Sequence, residues 1–177
     1  MSVGHLILRD ATAHDAAACA DIYAPYVAET VISFEVDPPT TAEMARRIEA
    51  ATSTHAWLIL EDADEVVGYA YGHPFATRAA YRWSCETSIY LQPGRRRTGA
   101  GGRLYRALLA RLADRGFHQA FAGIALPNDA SVGLHRHLGF EPAGLYHRVG
   151  WKHGAWHDVA WFQRTITDPG TPPTEPA

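Results

Sequence analysis

The chain has 177 residues, of which 47% are hydrophobic and 20% charged, and a formal net charge of −3. That length and composition predict one globular domain over residues 1–167 with a substantial core, and the mild acidity excludes a general binder of nucleic acid or anionic membrane. Two widely spaced cysteines, Cys19 and Cys85, argue against a disulfide scaffold or zinc knuckle and fit a reducing cytoplasm.

The elements are taken in chain order. A strand from His5 to Arg9 leads, past the possible N-caps Thr12 and Asp15, into a helix over Ala16 to Val27. No secretory leader is expected before it, and no apolar run approaches the length of a membrane span. A loop from Thr30 to Pro39 carries Phe34. Thr40, with Glu43 at capping-box spacing, or Thr41 opens a second helix through Ala51. Strands follow at Ala56 to Glu61 and Val66 to Gly72, joined by the acidic turn 62–65. A loop from His73 to Arg82 brings Phe75, Arg78 and Tyr81 to the strand Cys85 to Leu91.

That strand runs into Gln92-Pro93-Gly94-Arg95-Arg96-Arg97-Thr98-Gly99-Ala100-Gly101-Gly102 and then into a helix with leucine at 104, 108 and 112. Glycines that free backbone N–H groups at a helix N-terminus, beside arginines, form a seat for a polyphosphate. A dinucleotide fingerprint would need a third glycine where Leu104 stands, and a Walker loop needs a Gly-Lys-Ser/Thr that is absent. Gly116 ends the helix, and Phe117 to Ile124 reads as a buried strand.

Pro127-Asn128-Asp129 opens a short helix closed by Gly139. Two last strands, Phe140 to Val149 and Trp156 to Arg164, are bridged by Gly150-Trp151-Lys152-His153-Gly154. From Asp168 the last ten residues hold four prolines and are expected to form a disordered tail. Hairpins at both ends of an otherwise alternating pattern predict an α/β (α+β) fold with a mixed sheet.

Arg96-x-x-Gly99-x-Gly101 is the Arg/Gln-x-x-Gly-x-Gly/Ala signature of the GNAT superfamily of N-acetyltransferases, and Asn128-x-x-Ser131-x-x-x-His135 has the spacing of a second GNAT motif. The stretches 83–91, 126–129 and 152–159 resemble phosphinothricin N-acetyltransferases and their amino-acid-acetylating relatives, and the likeness extends from Leu6 to about Arg164. The resemblance implies a twisted, mostly antiparallel sheet of about seven strands, splayed in the middle by a bulge in the strand 85–91 and flanked by about four helices. It implies acetyl-CoA as co-substrate, a small amine or amino acid as acceptor, and a homodimer.

Amide formation from a thioester needs an amine that loses a proton, a stabilised oxyanion and a protonated leaving thiolate. Alternation along the strand puts Glu86, Ser88 and Tyr90 on one face. Glu86 is the candidate general base, directly or through water. The resemblance places the acetyl and pantetheine groups at backbone of Ile89, Tyr90 and Leu91 and at Asn128. It seats the pyrophosphate on Arg96, Arg97, Thr98, Gly99, Ala100, Gly101 and Gly102, with His137 nearby, and it faces His135, where tyrosine is usual, to the thiol. A helix histidine packed in a crevice is the alternative for His135.

Phe34, Phe75, Arg78, Tyr81 and Lys152 are the candidate substrate contacts. Arg78 and Tyr81 match the family best, and an arginine fork suits an anionic head. Each could instead be a surface or interface residue. The ten histidines do not predict a metal site: His153 and His157 straddle a glycine turn, and His135 and His137 diverge around a helix. Acetylation of a protein N-terminus or a polyamine, and an idle CoA-binding module, remain as alternatives.

Overall fold

The computed structural model describes residues 6–95, 99–168, 170 and 173–177. Seven strands and four α-helices follow one another as β1 (Leu6–Asp10), α1 (Ala16–Glu29), α2 (Thr41–Thr54), β2 (Ala56–Asp62), β3 (Glu65–Pro74), β4 (Ser84–Leu91), α3 (Ala100–Asp114), β5 (Gln119–Ala125), α4 (Asp129–His137), β6 (Glu141–Lys152) and β7 (Ala155–Thr165). They form one open sheet in the order β1-β2-β3-β4-β5-β7-β6. All neighbouring pairs are antiparallel except β4 and β5. The mixed, mostly antiparallel sheet with four helices is the architecture expected from the sequence.

Helices cover both faces of the sheet at β2 and β3, where strand alternation distributes the side chains between two cores, whereas β6 is largely exposed. Leu58 and Leu60 of β2 join Leu104, Leu108 and Leu112 of α3. Trp57 and Ile59 face the other way, toward Ile22 and Val27 of α1 and Met44 and Ile48 of α2. The leucine repeat of α3 is thus its buried stripe. Thr40 caps α2 by accepting from the Glu43 N–H at 3.2 Å, as its spacing predicts.

The parallel pair β4 and β5 matters most for function. Its register covers Ser84, Cys85 and Glu86 against Gln119, Ala120 and Phe121, and then stops although both strands continue. Beyond Glu86 the strands diverge, and a cleft opens in the middle of the sheet. The expected bulge in β4 is not what separates them: β4 keeps an unbroken register with β3 from Cys85 to Leu91. The sheet instead opens on the β5 side, where β5 stays paired to β7 along its whole length.

The far hairpin also differs in detail from the sequence reading. Gly150, Trp151 and Lys152 belong to β6, and the turn is only His153-Gly154, both with positive φ. The register between β6 and β7 shifts between Tyr146 and Gly150, which lets β6 bend around the cleft. Residues 173–177, in the stretch expected to be disordered, lie against the body: Arg82 pairs with Glu175 at 2.9 Å and Trp83 Nε1 donates to Thr174 O at 2.7 Å. Among the described residues no helix is long and apolar enough to cross a membrane.

Candidate active site

Where β4 leaves β5, the side chains of β4 sort as period-two alternation requires. Cys85 and Thr87 are buried toward α3, whereas Glu86, Ser88 and Tyr90 line a cavity of 640 Å³ on the opposite face. Tyr23, Glu35, Tyr71, His73, Tyr146 and Trp161 form much of its remaining wall. Glu86 keeps 27% of its side chain exposed, and His73 Nε2 lies 4.0 Å from its Oε2. Burial raises the Glu86 carboxyl pKa above its ordinary value, and His73 opposes that shift. A half-buried carboxylate with a raised pKa, open to a cavity, is the form a base for an ammonium takes.

Glu35 is the second carboxylate on this wall. Burial raises its pKa, but the hydrogen bonds from Arg47 and Tyr23 and the charge of Arg47 together bring it below the ordinary value. Arg47 grips it at 2.7 and 3.1 Å, and Tyr23 Oη donates to it at 3.0 Å. Phe34 lies directly on the backbone of β6: a Cβ on Gly150 would come 2.2 Å from its ring. Lys152 ties the same loop down, its Nζ donating to Val27 O at 2.5 Å and Ser33 O at 2.7 Å. The lysine expected to meet substrate is therefore spent on two backbone carbonyls.

The structure separates the other expected substrate contacts from Glu86. Arg78 and Tyr81 line a distinct cavity of 380 Å³ with His55, Phe117 and Glu175, and no residue lines both. Phe75 stacks on Phe121 at 4.1 Å and meets Trp161 edge-on at 6.2 Å, so it packs behind the cavity wall. The loop 74–82 lies on the far side of the β4–β5 contact, which sequence adjacency to β4 does not reveal. Within one copy Arg78 and Tyr81 thus face a different cavity from the one that Glu86 lines.

On the α3 side the cleft narrows into two smaller hollows. One, of 120 Å³, is lined by Tyr26, Ile89, Leu91, Asn128, Ser131 and Leu134. The other, of 50 Å³, lies in the divergence itself, between Thr87–Tyr90 and Ala122–Ala125, with Asn128, Ser131 and His135 closing it. Backbone groups of β4 beyond Glu86 have no β5 partner there and can take hydrogen bonds from a ligand. The carbonyl of Leu91 is already used, since Tyr26 Oη donates to it at 2.6 Å. Asn128 is the N-cap of α4, its Oδ1 accepting from the Ser131 N–H at 3.2 Å.

Gly99 is the N-cap of α3 at φ 79°, a left-handed conformation that glycine takes without strain. Ala100, Gly101 and Gly102 form the first helical turn, at the positive end of the helix dipole. A Cβ at Gly101 would press on the Leu91 side chain at 3.2 Å, so α3 packs closely on β4 at that glycine. A Cβ at Gly102 would meet the flexible end of Arg106 at 3.4 Å and Leu134 at 4.0 Å, both ordinary contacts. Arg106 in turn lies 2.9 Å from His137 Nε2, which places both side chains together between α3 and α4. Arg96, Arg97 and Thr98 lie outside the described residues, and Arg95 pairs with Asp62. A glycine-led helix N-terminus beside a narrow apolar groove, and a strand that has parted from its neighbour, suit a ligand with a phosphate end and an amide-bearing arm.

His135 is 3% exposed, and both its ring nitrogens are engaged. Nδ1 lies 2.8 Å from Ser131 O and 3.3 Å from Ser131 Oγ, and Nε2 lies 3.0 Å from Tyr105 Oη. Tyr105 Oη continues to Thr87 Oγ1 at 2.6 Å, which donates to Phe121 O at 3.0 Å. The sequence reading singled out neither Tyr105 nor Thr87 and gave Ser131 only as a motif position; the trace of Tyr105 was a tyrosine beside the leucine stripe of α3. Among the described residues no group of three His, Cys, Asp or Glu side chains could hold a metal ion.

Comparison with known proteins agrees with this geometry. Residues 8–161 match the model of the acetyltransferase (GNAT) domain. The chain is 38% identical over 165 residues to the phosphinothricin N-acetyltransferase of Streptomyces viridochromogenes, covering 93% of this chain and 90% of that one. It is 34% identical to the L-methionine sulfoximine/L-methionine sulfone acetyltransferase of Pseudomonas paraeruginosa, covering 90% and 94%. A GNAT superfamily phosphinothricin acetyltransferase from Sinorhizobium meliloti, solved in complex with AcCoA, superposes with a TM-score of 0.90 at 39% identity, over 97% of this chain and 93% of that one. With the signature turn at the head of α3, the sheet opened beside β4 and a family match along most of its length, this chain belongs to the GNAT family of N-acetyltransferases.

Proposed function

We propose that the protein transfers the acetyl group of acetyl-CoA to the amino group of a small amino acid or analogue, of the phosphinothricin or methionine sulfoximine and sulfone kind. The observation that carries the reading is the position of Glu86: a half-buried carboxylate on the wall of the 640 Å³ cavity, at the point where β4 parts from β5. Acetyl-CoA would lie along the groove from the first turn of α3 to the divergence, with Gly99, Ala100, Gly101 and Gly102 at its phosphates and Asn128 and the backbone of Ile89 and Tyr90 at its arm. It supplies the activated acyl group. Glu86, directly or through one water, takes the proton of the substrate ammonium. His135 returns a proton to the sulfur as it leaves. The two cavity carboxylates, Glu35 and Glu86, favour a cationic ammonium in the resting complex.

The same reading expects a homodimer. Tyr146, Val149, Trp151 and Trp156 of the β6–β7 hairpin are all more than half exposed, an apolar face that a second copy of the chain would cover. Thiol release from acetyl-CoA with phosphinothricin, methionine sulfone, ordinary amino acids, a peptide N-terminus and spermidine tests the activity. Release with the amino-acid analogues is expected. Release with spermidine or the peptide alone would replace the substrate class, and none with any amine would leave a CoA-binding module.

A further inference from the structure

The 640 Å³ cavity holds two carboxyl side chains and no permanent cation. Glu86 and Glu35 line it, and among the described residues of its wall none is a lysine or arginine. An amino acid that brings its ammonium to Glu86 carries its own carboxylate into the same space, where like charges repel it. The side chain on that wall that can turn positive near neutral pH is His73. It stands directly opposite Glu86 on the neighbouring strand β3, and its Nε2 lies 4.0 Å from Glu86 Oε2.

The other ring nitrogen fixes which atom is offered to a ligand. Nδ1 lies 3.2 Å from Pro74 O, and a carbonyl only accepts, so Nδ1 carries a proton in either charge state of the ring. Nε2 is therefore the nitrogen that gains and loses one, and only the imidazolium has an Nε2–H to donate. At 4.0 Å that nitrogen and the Glu86 oxygen are too far apart to hydrogen-bond each other, so each can take a ligand atom. In an α-amino acid the ammonium nitrogen and the nearer carboxylate oxygen lie about 3 Å apart. Two charge-assisted hydrogen bonds of about 2.8 Å, one to each group, seat such a zwitterion across the gap. We propose that His73 is the contact for the substrate α-carboxylate, and that the Glu86–His73 pair thereby selects α-amino acids over amines without a carboxylate.

The groups around the ring fit that role. Tyr71 packs on it from β3 at a centroid distance of 5.7 Å, and Glu86 faces it from β4. Glu35 and Tyr146 line the same cavity from the loop after α1 and from β6. His55, between α2 and β2, feels the charge of His73 and is itself held neutral by burial. His73 keeps 36% of its side chain exposed, so its proton exchanges with water. Arg78, the cation expected from the sequence for this task, lines the other cavity.

The role rests on the amino-acid acetylation proposed above, and it is one of binding: the imidazolium holds the carboxylate while Glu86 takes the proton of the ammonium. His73 also opposes the upward shift that burial gives the Glu86 carboxyl, so its loss alters turnover with every amine. The ratio between an amino acid and its own amide cancels that shared effect and isolates the carboxylate contact.

The test compares methionine sulfone with methionine sulfone amide. His73→Ala should raise the KM of the amino acid about ten- to a hundredfold relative to that of the amide, with the acetyl-CoA KM unchanged. His73→Arg carries a permanent charge. It should keep the preference and abolish the loss of methionine sulfone affinity that the wild type shows between about pH 6 and 8. In ¹⁵N-histidine-labelled protein without acetyl-CoA, the neutral ring should be the Nδ1–H tautomer, and methionine sulfone but not its amide should shift the Nε2 signal; the resonance lost in His73→Ala assigns it. A penalty in His73→Ala shared equally by amino acid and amide, or an Nε2–H tautomer, overturns the proposal, while acetylation of methionine sulfone by that same protein leaves the acetyltransfer reading standing. If the wild type acetylates no amino acid, that reading falls and the role of His73 falls with it.

Discussion

Replacing Lys152 by methionine removes an ammonium that donates to Val27 O and Ser33 O, at the end of α1 and in the loop that carries Phe34. Val27 and Ser33 are buried, so water is poorly placed to substitute. A hydrogen bond from a charged donor contributes about 1.5–3 kcal/mol. Because the ammonium keeps some contact with solvent, we take about 2 kcal/mol for the pair together. In a domain of this size about 1 kcal/mol moves the melting temperature by about 2–4 °C, so a fall of about 4–8 °C is expected. Freed from its tie, the Phe34 loop should move off Gly150 and widen the amine side of the cleft, raising the amine KM while the acetyl-CoA KM stays put. Thermal scans and two-substrate kinetics read both effects. If Lys152 instead met the substrate carboxylate, the variant would melt like the wild type and would penalise an amino acid but not its amide; that pattern would refute the strut.

Gly102→Asp places a carboxylate in the first turn of α3, where it suits the helix dipole and its Cβ makes only ordinary contacts, with Arg106 at 3.4 Å and Leu134 at 4.0 Å. It should leave the fold intact and raise the acetyl-CoA KM about tenfold through repulsion of phosphate; an equal rise for the amine would move the phosphate seat elsewhere. His55, stacked on Phe117 and buried, has its pKa pulled down by desolvation to about 4. Its folded form resists protonation, so this stability is whole above its ordinary value of 6.5 and is lost as pH falls toward 4, by about 3 kcal/mol. His55→Gln should flatten urea-measured stability across that window, and an unchanged slope would assign it to other groups. Sedimentation should give a dimer that Trp151→Lys weakens; a monomeric wild type would remove the covered-hairpin reading.

Local patterns carried the sequence reading well. The alternation of β4, the leucine stripe of α3, the Thr40 cap and the glycine turn at Gly99 each depend on neighbours a few residues away, and each is found in the structure. What the sequence does not reveal is spatial. Arg78 and Tyr81 sit next to β4 in sequence, but the loop turns them into a cavity walled by the stretch 53–55 and the residues 175–177. Lys152 reads as a cation beside a turn, and only the bend of β6 reveals the carbonyls it reaches. Thr87, Tyr105 and His135 are 18 and 30 residues apart along their chain of contacts; an apolar pattern hides a hydroxyl among core positions. The splay was expected from a bulge, whereas it follows from β5 pairing fully with β7 and only briefly with β4.

The central claim is that Glu86 is the base, and the most direct measurement is the pH dependence of turnover in Glu86→Gln. Wild-type kcat/KM should rise along an acid limb whose midpoint lies above the ordinary carboxylate range, because burial raises this carboxyl. The variant should lose about 10²–10⁴ in kcat at neutral pH, keep its acetyl-CoA affinity, and recover at high pH where free amine is abundant. Wild-type turnover in a folded Glu86→Gln protein, with the acid limb intact, would contradict the account.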